Sequence, residues 1–177
     1  MGANKAFIKL EGRTLLERTL ALTRAVTSDV WIVGSNQEFV EFGPIVEDIF
    51  PERGPLGGIH AALRTSCADR NLVVAVDMPF LEIRFLEFLL ERAGERPSAL
   101  VTVPRSSGHW QPLCAVYRKS FADLAEKALI AGKNKIDPLF TQVEVCAVEQ
   151  SEITRLGFSP TLFRNLNTPE DLDAARS

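Results

Sequence analysis

The chain has 177 residues, 46% of them hydrophobic and 24% charged, with a formal net charge of −3. That size and balance suit one globular domain with a sizeable core and give no electrostatic reason to expect nucleic acid as a partner. No apolar run reaches membrane-spanning length and no secretory signal pattern is present, so no membrane partner is expected. Cys67, Cys114 and Cys146 are odd in number and lack CxxC spacing, which points to reduced thiols and a cytoplasmic location. With only His60 and His109 available, neither a His-rich zinc site nor a Ser-His-Asp triad has support.

Taken in order, Ala6 to Leu10 reads as a short extended segment and Glu11-Gly12-Arg13 as a turn. Thr14 and Glu17 have the spacing of a capping box, and Leu15, Leu16, Leu20, Leu22 and Val26 give the following helix its apolar face. Asp29 to Val33 predicts a strand, Gln37 to Phe42 a short helix, and Ile45-Val46 a second strand ending at Glu47-Asp48. Arg53-Gly54-Pro55-Leu56-Gly57-Gly58 is a stiff, glycine-rich loop leading into a helix over Ile59 to Thr65. Such a loop either lets backbone approach an anionic ligand at a helix amino terminus or is a plain tight turn.

Leu72 to Val76 is an unbroken apolar run rich in β-branched residues, the pattern of a strand buried on both faces. Asp77 follows at its carboxyl end, the edge at which open α/β sheets bind ligands, and Pro79 fixes the next turn. A carboxylate on a rigid strand tip can hold a divalent metal against phosphates, or it can cap the turn. Beyond it come a helix over Glu82 to Ala93, a strand over Ser98 to Val103, a polar loop over Arg105 to His109 and a strand over Gln111 to Tyr117. Ser120 with Asp123 predicts a helix start running to Ala131. Ile136 to Phe140 suggests a short helix, and Val143 to Val148 an edge strand. Phe163 to Asn167 is extended, and Thr168-Pro169-Glu170-Asp171 has the form of a helix start. Alternating strands and helices give an α/β fold with a largely parallel sheet.

Four segments together resemble the molybdenum cofactor guanylyltransferases of the nucleotidyltransferase superfamily: MGANKAFIKLEGRTLLER, VEDIFPERGPLGGIHAAL, VVAVDMPFL and NLNTPEDL, with QPLCAVYR also in place. The resemblance implies a single Rossmann-like domain of three α/β/α layers, its sheet mostly parallel with one antiparallel strand. It implies transfer of GMP from GTP to the phosphate of molybdenum-molybdopterin, giving the guanine dinucleotide cofactor and pyrophosphate, with Mg2+ held by Asp77. Lys5 and Asp77 would be catalytic, and Lys5, Asp48 and Asp77 would contact the nucleotide. Asn165, Asn167, Pro79 and Gln111 would meet the pterin substrate; for the two asparagines, support of the Thr168 helix start is an equal alternative. Arg53, Arg105 and Lys135 lie in loops, where surface charge is the default reading. Cofactor-delivery proteins and molybdoenzymes are the further partners implied.

The family carries a first strand and a Leu-x-Gly-Gly-x-Ser-x-Arg loop ahead of its Met-Gly. The expectation is therefore a nucleotidyltransferase domain over residues 1–177 that is incomplete at its amino end, and whose GTP binding an upstream extension restores. The rival readings are a nucleotidyltransferase using CTP or a sugar phosphate, and an inactive scaffold in cofactor delivery. A dinucleotide-binding oxidoreductase has no GxGxxG to support it.

Overall fold

The computed structural model describes residues 4–34 and 39–166. A 3₁₀ turn over Lys5–Phe7 leads into a hairpin of β1 (Lys9–Leu10) and β2 (Arg13–Thr14). Helix α1 (Leu15–Arg24) starts on the expected capping box: the Thr14 hydroxyl accepts from the Glu17 N–H at 3.1 Å, and Glu17 accepts from the Thr14 N–H at 2.7 Å. These bonds hold the Glu17 carboxyl below its usual range. Strands β3 (Ile32–Val33) and β4 (Ile45–Val46) pair in parallel. Helix α2 (Pro55–Thr65) then leads to β5 (Arg70–Val74), and α3 (Ile83–Glu95) to β6 (Val101–Ser106), β7 (His109–Trp110) and β8 (Cys114–Arg118). Helix α4 (Phe121–Ile130), a 3₁₀ turn over Asp137–Gln142, β9 (Val145–Glu149) and α5 (Gln150–Arg155) complete the order.

β8 runs antiparallel between β5 and β6, and β9 lies parallel to β6. Thus β5, β6 and β9 share one direction, with β8 and the short β7 opposed. Alternation along the strands builds a core on each face. Ala115 and Tyr117 of β8 pack with α2 and α4, whereas Cys114 and Val116 pack with α3 and α5. Burial drives the Cys114 thiol far above its ordinary range, so it is an inert core residue.

Some boundaries differ from the sequence reading for local reasons. The Ala6–Leu10 stretch splits into the 3₁₀ turn and β1. Proline is compatible with the first helical turn, so α2 begins at Pro55 and takes in Gly57 and Gly58. The polar stretch after Arg105 is not a loose loop but a tight hairpin, with Ser107 and Gly108 at φ 51° and 79°. A turn in which the Cys114 N–H bonds the Gln111 carbonyl delays β8. Ser120 makes no side-chain capping bond. The Thr168 helix start and part of the Gln37–Phe42 helix lie outside the described residues.

The largest departure concerns β5. It is half-buried rather than covered on both faces, because among the described residues it ends its sheet and pairs only with β8. The Ala75 N–H bonds the Leu113 carbonyl at 2.7 Å. By alternation Asn71 and Val73 also turn their peptide groups toward β8, and Leu72 and Val74 turn theirs away. On β3, the Ile32 and Gly34 N–H groups bond Pro44 and Val46 of the β4 side, which turns Trp31 and Val33 away as well. Between these two outward edges lies a cavity of about 550 Å³, lined by Leu16, Leu20, Val33, Leu72, Val74 and Leu113 among others. It is an apolar slot flanked by two sheet edges.

Hydrogen exchange followed by NMR checks this edge assignment. In the 177-residue chain the Leu72 and Val74 amides should exchange much faster than those of Asn71 and Val73. Equal protection along β5 would contradict it.

Candidate active site

Asp77 sits in the turn that leaves β5, and two other segments meet it there. The Leu166 N–H donates to the Asp77 carbonyl at 3.0 Å, which fixes the backbone at that point. From the amino-terminal 3₁₀ turn, the Lys5 ammonium comes within 3.9 Å of Asp77 Oδ2. The lysine is 47% exposed and the carboxylate 21%, so the pair is open to an incoming ligand. Asn4 caps that turn by accepting from the Ala6 N–H at 3.2 Å, with buried Ala6 as its anchor. The positions of Lys5 and Asp77 are therefore set by backbone bonds and packing rather than by their own weak, solvated attraction.

Asn165 adjoins Leu166 and is brought to the same place; its Oδ1 is buried without a hydrogen-bond partner among the described residues. A buried amide oxygen without a partner is costly and suits a donor supplied by a ligand. Asn167 lies outside the described residues. Gln111 is tied through its backbone, its N–H bonding Pro104 and its carbonyl accepting from Cys114, both at 2.9 Å. Since the β5–β8 pairing continues to Ala75 and Leu113, Gln111 precedes β8 at the end where Asp77 leaves β5. Pro79 faces a pocket of about 280 Å³ with Arg13, Arg18 and Ile83 between α1 and α3, not the large cavity. Its part is to fix the turn after Asp77.

Asp48 follows β4 and lines the end of the slot beside Gly54 and Gly58. Its Oδ1 is buried and unpaired, and desolvation pushes its carboxyl above the usual range. Gly54 opens α2 at φ 63°, ψ −157°, a conformation open to glycine. At Gly58 a Cβ would stand 3.1 Å from Val33 and 3.6 Å from Asp48 Oδ1, so glycine keeps the approach to that carboxylate open. The loop expected to let backbone come near a ligand thus surrounds an unpaired acceptor.

The loop cations divide. The Arg105 guanidinium lies 5.2 Å from the Trp110 ring centroid and serves the hairpin. Lys135 is exposed ahead of the second 3₁₀ turn, and half-buried Arg53 stays beside Gly57. Arg164 was not foreseen: its guanidinium lies over the Phe80 ring, 5.9 Å from the centroid. The available signal was its place beside Asn165. Among the described residues no three His, Cys, Asp or Glu side chains gather as a metal cage. Asp77 on an open strand end fits the other mode, in which Mg2+ takes one or two carboxylates and completes its shell with phosphates and water.

Asp77, in the turn after β5, thus stands beside a lysine, and the glycine-rich start of α2 stands beside Asp48. The family model of the MobA-like NTP transferase domain matches residues 1–145. The chain belongs to the MobA-like NTP transferase family. It is 32% identical over 174 residues to a probable molybdenum cofactor guanylyltransferase of Carboxydothermus hydrogenoformans, covering 98% of this chain and 87% of the relative. To a protein of the same description from Pelotomaculum thermopropionicum it is 34% identical over 178 residues, with 99% and 85% covered. Among solved structures it superposes with a TM-score of 0.81 on the molybdopterin-guanine dinucleotide biosynthesis protein A of Archaeoglobus fulgidus, at 28% identity, covering 99% of this chain and 90% of that one. The α/β nucleotidyltransferase fold read from the sequence is the fold of these proteins. No helix among the described residues is long and apolar enough to cross a membrane.

Asp48 gives a test by pH. A carboxyl raised by burial favours the protonated folded state, so its stabilising effect is present at acid pH and is lost as pH rises through its folded value. Asp48→Asn should therefore raise the melting temperature at pH 7, and the gain should shrink as pH falls toward the ordinary aspartate range. Scanning calorimetry of both proteins from pH 4 to 8 measures it; no gain at pH 7 would show the carboxylate to be well solvated.

Proposed function

We propose that the protein transfers GMP from GTP to the terminal phosphate of molybdenum-molybdopterin, releasing pyrophosphate. The observation that carries the reading is the convergence of Lys5, Asp77 and Asn165 at one end of β5. It is supported by relatives that match nearly the whole chain and are described as guanylyltransferases of this cofactor.

The reaction asks for positioning and countercharge more than for a side-chain nucleophile. An oxygen of the acceptor phosphate forms a bond to the α-phosphorus as the bond from that phosphorus to the β-bridging oxygen breaks, and the electron pair leaves with pyrophosphate. Magnesium held by Asp77 would neutralise phosphate charge and offset the charge that builds on the leaving group. Lys5 sets a compact cation against the same phosphates. Asp48 accepts from the nucleotide, through guanine N–H donors or ribose hydroxyls. Asn165, with Asn167 and Gln111, contacts the pterin, and Pro79 keeps the Asp77 turn rigid. Release of the product to cofactor-delivery proteins or molybdoenzymes belongs to the same proposal.

The slot between β3 and β5 supports an additional element of the site. An extended apolar segment upstream of Met1 would pair with both edges, and the chain leading on to Lys5 would then pass the phosphates. Isothermal titration of GTP into the 177-residue chain and into one extended by its in-frame upstream residues tests this. Tighter binding by the longer chain is expected; equal affinity would remove the upstream segment from the site.

Activity is read as magnesium-dependent pyrophosphate release from GTP and molybdopterin by the extended chain. Asp77→Asn should lower kcat by about 100-fold or more, in keeping with loss of charge stabilisation at the transferring group, with the melting temperature little changed. GTP should protect the protein against heat more than CTP does. Full activity of Asp77→Asn would refute the assignment, and stronger protection by CTP would move it to a cytidylyl reaction.

A further inference from the structure

We infer that Arg164 is the anchor for the acceptor's terminal phosphate, and so a specificity-determining residue for a phosphorylated acceptor. This rests on the guanylyl-transfer reading and adds to it a residue that neither the motifs nor the relatives' descriptions single out.

Arg164 lies in the turn after α5, its N–H bonded to the Thr161 carbonyl at 2.8 Å. Its guanidinium is laid over Phe80, three residues beyond Asp77. Phe80 is itself fixed, packed against the cluster of Leu10, Leu15 and Leu166. Contact with that ring holds the guanidinium beside the turn that follows Asp77, and its side chain donates to no other described residue. Arg18, Arg64, Arg92 and Arg118 are all spent on carboxylates. Arg164 has no carboxylate partner among the described residues, although it is half-buried. A half-buried guanidinium with unused donors is suited to a bidentate oxyanion.

Its place decides which anion. Two residues along the chain, the Leu166 N–H holds the Asp77 carbonyl; one residue along, Asn165 presents an unpaired, buried Oδ1. Lys5 reaches Asp77 from a different segment, the amino-terminal turn. The site thus has cations on two separate supports. Bringing a phosphate monoester, with about −1.5 to −2 charges, against a triphosphate requires countercharge on both sides. Lys5 and the ion on Asp77 serve the nucleotide, and Arg164 serves the acceptor.

The test uses Arg164→Gln and Arg164→Lys in the full protein. Binding of molybdopterin is read by its pterin fluorescence without GTP, and steady-state constants are read for both substrates. Loss of a charge-assisted bidentate contact should weaken molybdopterin binding by Arg164→Gln about 10- to 100-fold, and raise its KM alike. The KM for GTP and the melting temperature should stay unchanged. Arg164→Lys should recover part of the affinity, because it restores charge but not the fork. Equal molybdopterin affinity in wild type and Arg164→Gln would overturn this inference and leave the guanylyl reading standing. Absence of molybdopterin binding to the wild type would overturn both. A loss shared equally by GTP and molybdopterin would assign Arg164 a general structural part and also overturn it.

Discussion

The backbone of Asp77 is held where three parts of the chain meet: the end of β5, the amino-terminal 3₁₀ turn and the segment after α5. The hydrogen bond from Leu166 to the Asp77 carbonyl ties the first and last of these together across almost ninety positions of sequence. Buried Ala6 and the Asn4 cap bring in the second. None of these contacts uses the Asp77 carboxylate, which stays partly exposed at the end of β5. That separation is what a preorganised site needs.

The two sides of the sheet have unequal tasks. The face covered by α2 and α4 and the face covered by α3 and α5 are filled by alternating residues of β6 and β8, and give the strands a rigid frame. Polar atoms left unpaired inside that frame stand out by contrast. Asp48 Oδ1 and Asn165 Oδ1 are such atoms, and both lie where the frame opens, one beside the glycine-rich start of α2 and the other beside Asp77. Costs of this kind are retained where a ligand relieves them.

Much of this was legible in the sequence because its cause is local. The Thr14–Glu17 capping box, the helix faces and the turn after Val76 each depend on a few neighbouring residues. Asp77 could be placed at a strand end for the same reason. What the sequence left out depends on partners far along the chain. A run such as Leu72 to Val76 looks the same whether a neighbouring strand covers it or a cavity does, so the edge position of β5 was not visible. Pro55 tolerates both a loop and a first helical turn, and only packing decides. The hairpin at Ser107-Gly108 was hidden because a serine takes a positive φ there. The contact of Arg164 with the Phe80 ring joins residues 84 positions apart, beyond the reach of any pattern read along the chain.

The account depends most on the claim that the Asp77 carboxylate binds the ion that accompanies the nucleotide. Manganese can stand in for magnesium, and its electron paramagnetic resonance signal reports binding without turnover. In the presence of GTP the protein should capture Mn2+ and show coupling to the nucleotide phosphorus. Asp77→Asn should lose that capture while keeping its fold by circular dichroism. Capture of Mn2+ and GTP by Asp77→Asn at the wild-type affinity would contradict the account.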